Sequence, residues 1–108
     1  MQPYTCFANL IHELPEIPPD SIVSRTIFAD DQMKAILFGF APGQELSEHT
    51  SSQRAIIHIL EGEADLTLGS DPQPASAGTW AAMEPHLPHS VLARTKVIML
   101  LLMFKPGG

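Results

Sequence analysis

The chain has 108 residues, a length that suits one domain able to bury a core without disulfide or metal staples. Apolar residues make up 44%, which excludes a disordered chain, and one cysteine, Cys6, excludes an intramolecular disulfide. Twelve acids against six bases give a formal charge of -6 with no basic cluster to reverse it, which argues against nucleic acid and membrane surfaces as partners.

The start, Met1-Gln2-Pro3-Tyr4-Thr5, lacks a basic stretch followed by an apolar one, so no signal peptide is read there. The longest apolar run, Val97 to Phe104, falls far short of the roughly 20 residues of a membrane helix. A soluble, cytoplasmic protein is expected. Residues 1–20 read as a polar arm, because Pro15, Pro18 and Pro19 forbid a helix and favour extended chain. Residues 10–14 have room for one helical turn at most.

Residues 21–108 form the expected domain. Runs rich in β-branched and aromatic residues follow one another at Ser21–Ala29, Met33–Phe40, Arg54–Glu61, Glu63–Leu68, Thr79–Met83, Ser90–Ala93 and Lys96–Phe104. Between them stand turn signals: Asp30-Asp31, Ala41-Pro42-Gly43, Glu61-Gly62, Gly69-Ser70-Asp71-Pro72, Gly78 and Pro85. Many short strands at this spacing indicate an all-β sandwich or barrel.

The strand faces carry a second message. In Glu63–Leu68, Ala64, Leu66 and Leu68 alternate with Glu63, Asp65 and Thr67, the pattern of a sheet with one wet side. Met33–Phe40, Arg54–Leu60 and Val97–Phe104 are apolar on both faces, so the outer face needs cover. Either the arm covers it in a monomer or a second subunit does; a homodimer is the expectation. Alternation puts Trp80 and Ala82 on one face and Thr79, Ala81 and Met83 on the other, with Trp80 read as core.

The chemistry-bearing residues are the histidines at 12, 49, 58, 86 and 89. Gly43 is followed after five residues by His49, then Ser51, Ala55 and the closing Gly62, in Leu60-Glu61-Gly62-Glu63-Ala64. Further on, Gly78 precedes Met83-Glu84-Pro85-His86-Leu87-Pro88-His89, and Ala93 follows. These two stretches resemble the two motifs of the cupin superfamily. The first motif runs glycine, five residues, histidine, one residue, histidine, an acid, then glycine; the second carries glycine, proline, glycine, histidine and asparagine.

The resemblance spans roughly residues 33 to 104 and implies a double-stranded β-helix, or jelly-roll barrel, with the N-terminal extended arm outside it. Its function would centre on one pocket in the barrel mouth near His49 and His89. In the family, a His-x-His pair, an acid and a distant histidine converge on one cavity and give a donor set suited to Fe, Mn, Ni, Cu or Zn. Here Ser51 replaces the second histidine and Ala55 the acid. His49 and His89 are thus the metal-ligand candidates, and the full donor set does not carry over.

Other residues stand close enough in the chain to be candidates for the gap. His58 follows Ala55 by three, which places it outward beside Ile56 and Leu60 unless a β-bulge near Ala55 reverses its face. His86 stands in a rim loop where the family has a glycine, and Gln53 has the position to reach inward as a weak ligand. Ser51, Gln53, His58 and His86 are the further pocket candidates. Arg54 opens a strand, where it is either a solvated charge or the partner of an anionic ligand. His12 takes no role, and no nucleophile elbow, phosphate loop or Cys-x-x-Cys is present.

Two readings follow. In one, His49 and His89 hold a divalent transition metal in an interior lined by Leu37, Ile57 and Ile59, which suits a small, partly apolar organic ligand; such a protein is an oxygenase or isomerase if it is an enzyme. In the other, the same barrel is a metal-free, non-catalytic small-molecule-binding module, with the histidines hydrogen-bonded to Ser51, Gln53 or water.

Overall fold

The structure, a computed structural model, describes residues 3–14 and 16–106. Among the described residues, nine strands follow a single 3₁₀ turn at Leu10–Glu13. They are β1 (Ile22–Ala29), β2 (Met33–Phe40), β3 (Glu45–His49), β4 (Arg54–Glu61), β5 (Glu63–Leu68), β6 (Asp71–Ser76), β7 (Trp80–Met83), β8 (His89–Ala93) and β9 (Val97–Phe104). The expected β-rich runs are strands with nearly the expected bounds. Two strands lie outside those runs: β3, whose polar residues give no apolar period, and β6, which begins within the Gly69-Ser70-Asp71-Pro72 turn signal.

Two antiparallel sheets result, in the orders β1-β2-β9-β4-β7 and β3-β8-β5-β6. The prolines of β6, Pro72 and Pro74, explain its place: lacking an N–H, proline is tolerated on an edge strand, and β6 is the edge of its sheet. The sheets face each other in a jelly roll, and the core lies between them. Phe40, Ile57, Ile59, Leu66, Val91 and Met99 are essentially sealed from water there. Each such side chain contributes about 1.5–3 kcal/mol by leaving water.

The four-stranded sheet keeps a wet outer side, with Ala64 and Leu66 inward and Asp65 outward in a two-point ion pair with Arg94. The outer side of the five-stranded sheet is apolar. Cross-strand register aligns Leu37, Leu100, His58 and Trp80 in one row, and Ala35, Leu102, Ile56 and Ala82 in the next.

The arm covers the β2 end of these rows. Its 3₁₀ turn is capped by the Asn9 side chain, which accepts from the Ile11 amide, and Glu13 is bound to Arg25 of β1 at 3.0 Å. Leu14 and Ile17 pack so closely on Gly39 that a Cβ there would stand 2.6 Å from Ile17 Cδ1. Leu37 is fully buried by this cover.

Two expectations are thereby corrected. Leu37 lines the arm-covered outer face and not the interior, because β2 turns Phe38 and Phe40 to the core. Trp80 is 58% exposed and not core, because Ala81 and Met83 are the inward residues of β7. Among the described residues no helix is long and apolar enough to cross a membrane.

Candidate functional site

The site is built on the adjacent strands β3 and β8. Val91 is buried in the core, and His89, two residues before it, shares its inward face at 6% exposure. In β3, Leu46 pairs with Val91 and packs on the core. His49 lies three residues beyond Leu46, so a regular strand would turn it outward. A bulge between Leu46 and His49 inserts the extra residue and restores it as the partner of His89. The two imidazole centroids are 4.1 Å apart, with the rings inclined at 59°.

Local backbone fixes both rings. His49 Nδ1 lies 2.8 Å from the Ser47 carbonyl oxygen, and His89 Nδ1 lies 2.9 Å from that of Leu87. A carbonyl only accepts, so each neutral ring carries its proton on Nδ1 and keeps a lone pair on Nε2. Among the described residues, neither Nε2 has a hydrogen-bond partner. Since no buried side-chain nitrogen or oxygen among the described residues lacks one, the Nε2 of His89 opens to water.

Burial holds the His89 pKa below the ordinary histidine value, and nearby His49 acts in the same direction. The Leu87 carbonyl opposes the shift without reversing it. A neutral imidazole with a free Nε2 is the form that binds metal.

The remaining candidates are placed differently. Ser51 sits beside the mouth, but its hydroxyl accepts from the Gln53 amide and its carbonyl accepts from the His86 amide at 2.7 Å. No hydrogen bond joins Ser51 or Gln53 to either histidine of the pair. Ala55 is buried in the core and offers no donor atom. His58 lies on the outer sheet face between Leu100 and Trp80. His86 is exposed on the rim with a φ of 70°, the conformation a glycine supplies without strain. Among the described residues, no group of three or more His, Cys, Asp or Glu is arranged to hold a metal ion. The chain's own donors therefore stop at two imidazoles.

Two clefts lie away from the pair. One of about 580 Å³ separates the arm from β1 and β2 and is lined mainly by Tyr4, Phe7, Leu10, Ile27, Phe28 and Met33. The other, of about 510 Å³, lies on the barrel rim and includes Gln53 and Arg54. Neither the β3 bulge nor the two orienting carbonyls leaves a mark in residue identity, which is why the sequence did not reveal them.

Comparison with known proteins agrees with this architecture. The family model described as Cupin domain matches residues 36–105. No curated protein matches the sequence. Among solved structures, a conserved protein of unknown function from Streptococcus pyogenes is 28% identical with a TM-score of 0.85, over 97% of this chain and 91% of that one. An RmlC-like cupin from Desulfovibrio desulfuricans is 25% identical with a TM-score of 0.81, over 94% and 96% of the two chains. A cupin superfamily protein from Desulfitobacterium hafniense is 23% identical at a TM-score of 0.79, over 85% and 84%.

Proposed function

This chain belongs to the cupin domain family, and from that premise we propose that His49 and His89 form a two-imidazole binding point for a divalent transition metal. The observation that carries the reading is the paired Nδ1 contact, 2.8 and 2.9 Å to backbone carbonyls, which leaves both Nε2 atoms free as donors. Such carbonyl partners orient metal-binding histidines generally. With Ser51 turned to its own loop and Ala55 in the core, water and a small organic ligand complete the coordination. A bound ion would supply Lewis acidity to an oxygen of that ligand. The chain's own part is to hold two imidazoles in fixed orientations at the mouth of an apolar interior.

The specific rival is a metal-free binding module, favoured by the shortfall of donors. Elemental analysis of protein purified without an affinity tag separates the two. The metal reading expects bound transition metal that His49→Ala removes. Less than about a tenth of an equivalent, unchanged by that substitution, leaves only the metal-free module, since useful sites generally need three or more donors in total.

We further propose that the protein is a homodimer, the second copy covering the outer face of the five-stranded sheet. Support comes from what the arm leaves bare: Trp80 and Ala82 are exposed, and Ile56, Leu100 and Leu102 are only half-buried in a single chain. Light scattering is expected to give about twice the 11.8 kDa chain mass. Trp80→Glu should lower it towards one chain, and a mass of one chain for the unmodified protein would overturn the dimer. We assign the protein to the cytoplasm, where the exposed thiol of Cys6 stays reduced.

A further inference from the structure

The rim cleft concentrates positive charge in an acidic protein. Of the six lysines and arginines, Arg25, Arg94 and Lys96 are in ion pairs with Glu13, Asp65 and Glu61. Of the three without such a partner among the described residues, Arg54 and Lys105 line the 510 Å³ cleft, and Lys34 lies outside it. Ser52, Gln53 and Gln32 add a hydroxyl and two amides, Phe104 lends an apolar wall, and no lining residue is acidic.

Lys105 is held in place. Its amide donates to the Gln32 carbonyl at 2.9 Å, and its ammonium to the Asp30 carbonyl at 3.1 Å. The Asp30 carboxylate accepts instead from the Gln32 and Met33 amides, each at 2.8 Å. The Asp30 carboxylate thus serves its own turn, although the Lys105 charge still acts on it.

We propose that this cleft binds the oxyanion group, carboxylate or phosphate, of a small organic acid. A guanidinium and an ammonium flanked by neutral donors are the groups that recognise such an anion. The apolar wall accommodates the body of the ligand. The residues between His49 and Arg54 carry Ser52 and Gln53, and those between Met83 and His89 carry Pro85. The cleft and the histidine pair therefore share two loops at one end of the barrel. The anion site stands whether or not the pair takes a metal.

Titration of the metal-free protein with sodium succinate and, separately, with inorganic phosphate tests this by backbone amide chemical shifts, against sodium chloride of equal ionic strength. Saturable shifts at Ser52, Gln53, Arg54 and Lys105 are expected with at least one of the two anions. The responding anion identifies the group preferred. The double substitution Arg54→Gln, Lys105→Gln should raise the dissociation constant at least about ten-fold, whereas Lys34→Gln, at an exposed lysine outside the cleft, should leave it unchanged. Shifts no larger than those in chloride, or equal affinity in the double variant, would overturn the proposal.

Discussion

Replacing Gly62 by alanine is expected to lower the unfolding free energy by about 2–4 kcal/mol, combining backbone strain with a steric clash. Gly62 joins β4 to β5 with a φ of 93°, a region costly for a residue with a Cβ. The added methyl would also run into the Lys96 carbonyl and stand 3.0 Å from the Thr95 hydroxyl. That carbonyl cannot easily retreat. The Arg94 and Thr95 amides donate to the Glu63 carbonyl, while the Thr95 hydroxyl accepts from the Glu63 amide. Two chain reversals, β4–β5 and β8–β9, are locked together at this point.

Gly78 provides the control, with a φ of 99° but open space around its missing Cβ. Its alanine variant should show the strain alone, about 1–2 kcal/mol. Urea denaturation decides the matter through a fall in midpoint at constant slope. Equal losses at the two glycines would show that the interlock contributes nothing.

The same turn illustrates what the sequence could carry. Leu60-Glu61-Gly62-Glu63-Ala64 announced a tight reversal, and the alternation of Ala64, Leu66 and Leu68 set the inward face of β5, because a two-residue period maps directly onto a pleated strand. β3 was illegible for the converse reason. Glu45, Ser47, Glu48 and His49 give no apolar period; Leu46 alone packs on the core, and β8 is the strand's neighbour in the sheet. In β6 the prolines read as turn signals, yet at a sheet edge they cost no ladder bond.

Trp80 and Leu37 show a different limit. Alternation grouped the faces of β7 correctly, but nothing in a local period says which face meets the core. The candidate pair was legible through family spacing at Gly43, His49, Gly78 and His89. That both rings point one way depended on the bulge after Leu46, a backbone feature with no residue signature. His58 faces outward because β4 pairs with β7 and β9 without a register shift from Ala55 to His58, which leaves the two on opposite faces.

Substituting His89 by leucine is expected to produce two effects that a merely packed histidine would not give together. Metal affinity should fall by more than about 100-fold, since loss of an orienting partner alone typically costs about 10–100-fold and here the ligand itself is removed. The metal-free protein should also lose part of its sensitivity to acid. Burial lowers the His89 pKa in the folded state, so the unfolded chain takes up that proton more readily. The stability contributed by neutral His89 is therefore present above the unfolded value of about 6.5 and is lost as the pH falls through the lower folded value. Urea midpoints of the metal-free protein at about pH 7.5 and about pH 5 should differ more for the natural chain than for His89→Leu. Substitution of His49, oriented by the Ser47 carbonyl, should show the same loss of metal. A His89→Leu protein that bound metal as before would detach the pair from coordination altogether, because its free Nε2 atoms would then serve no shared ion.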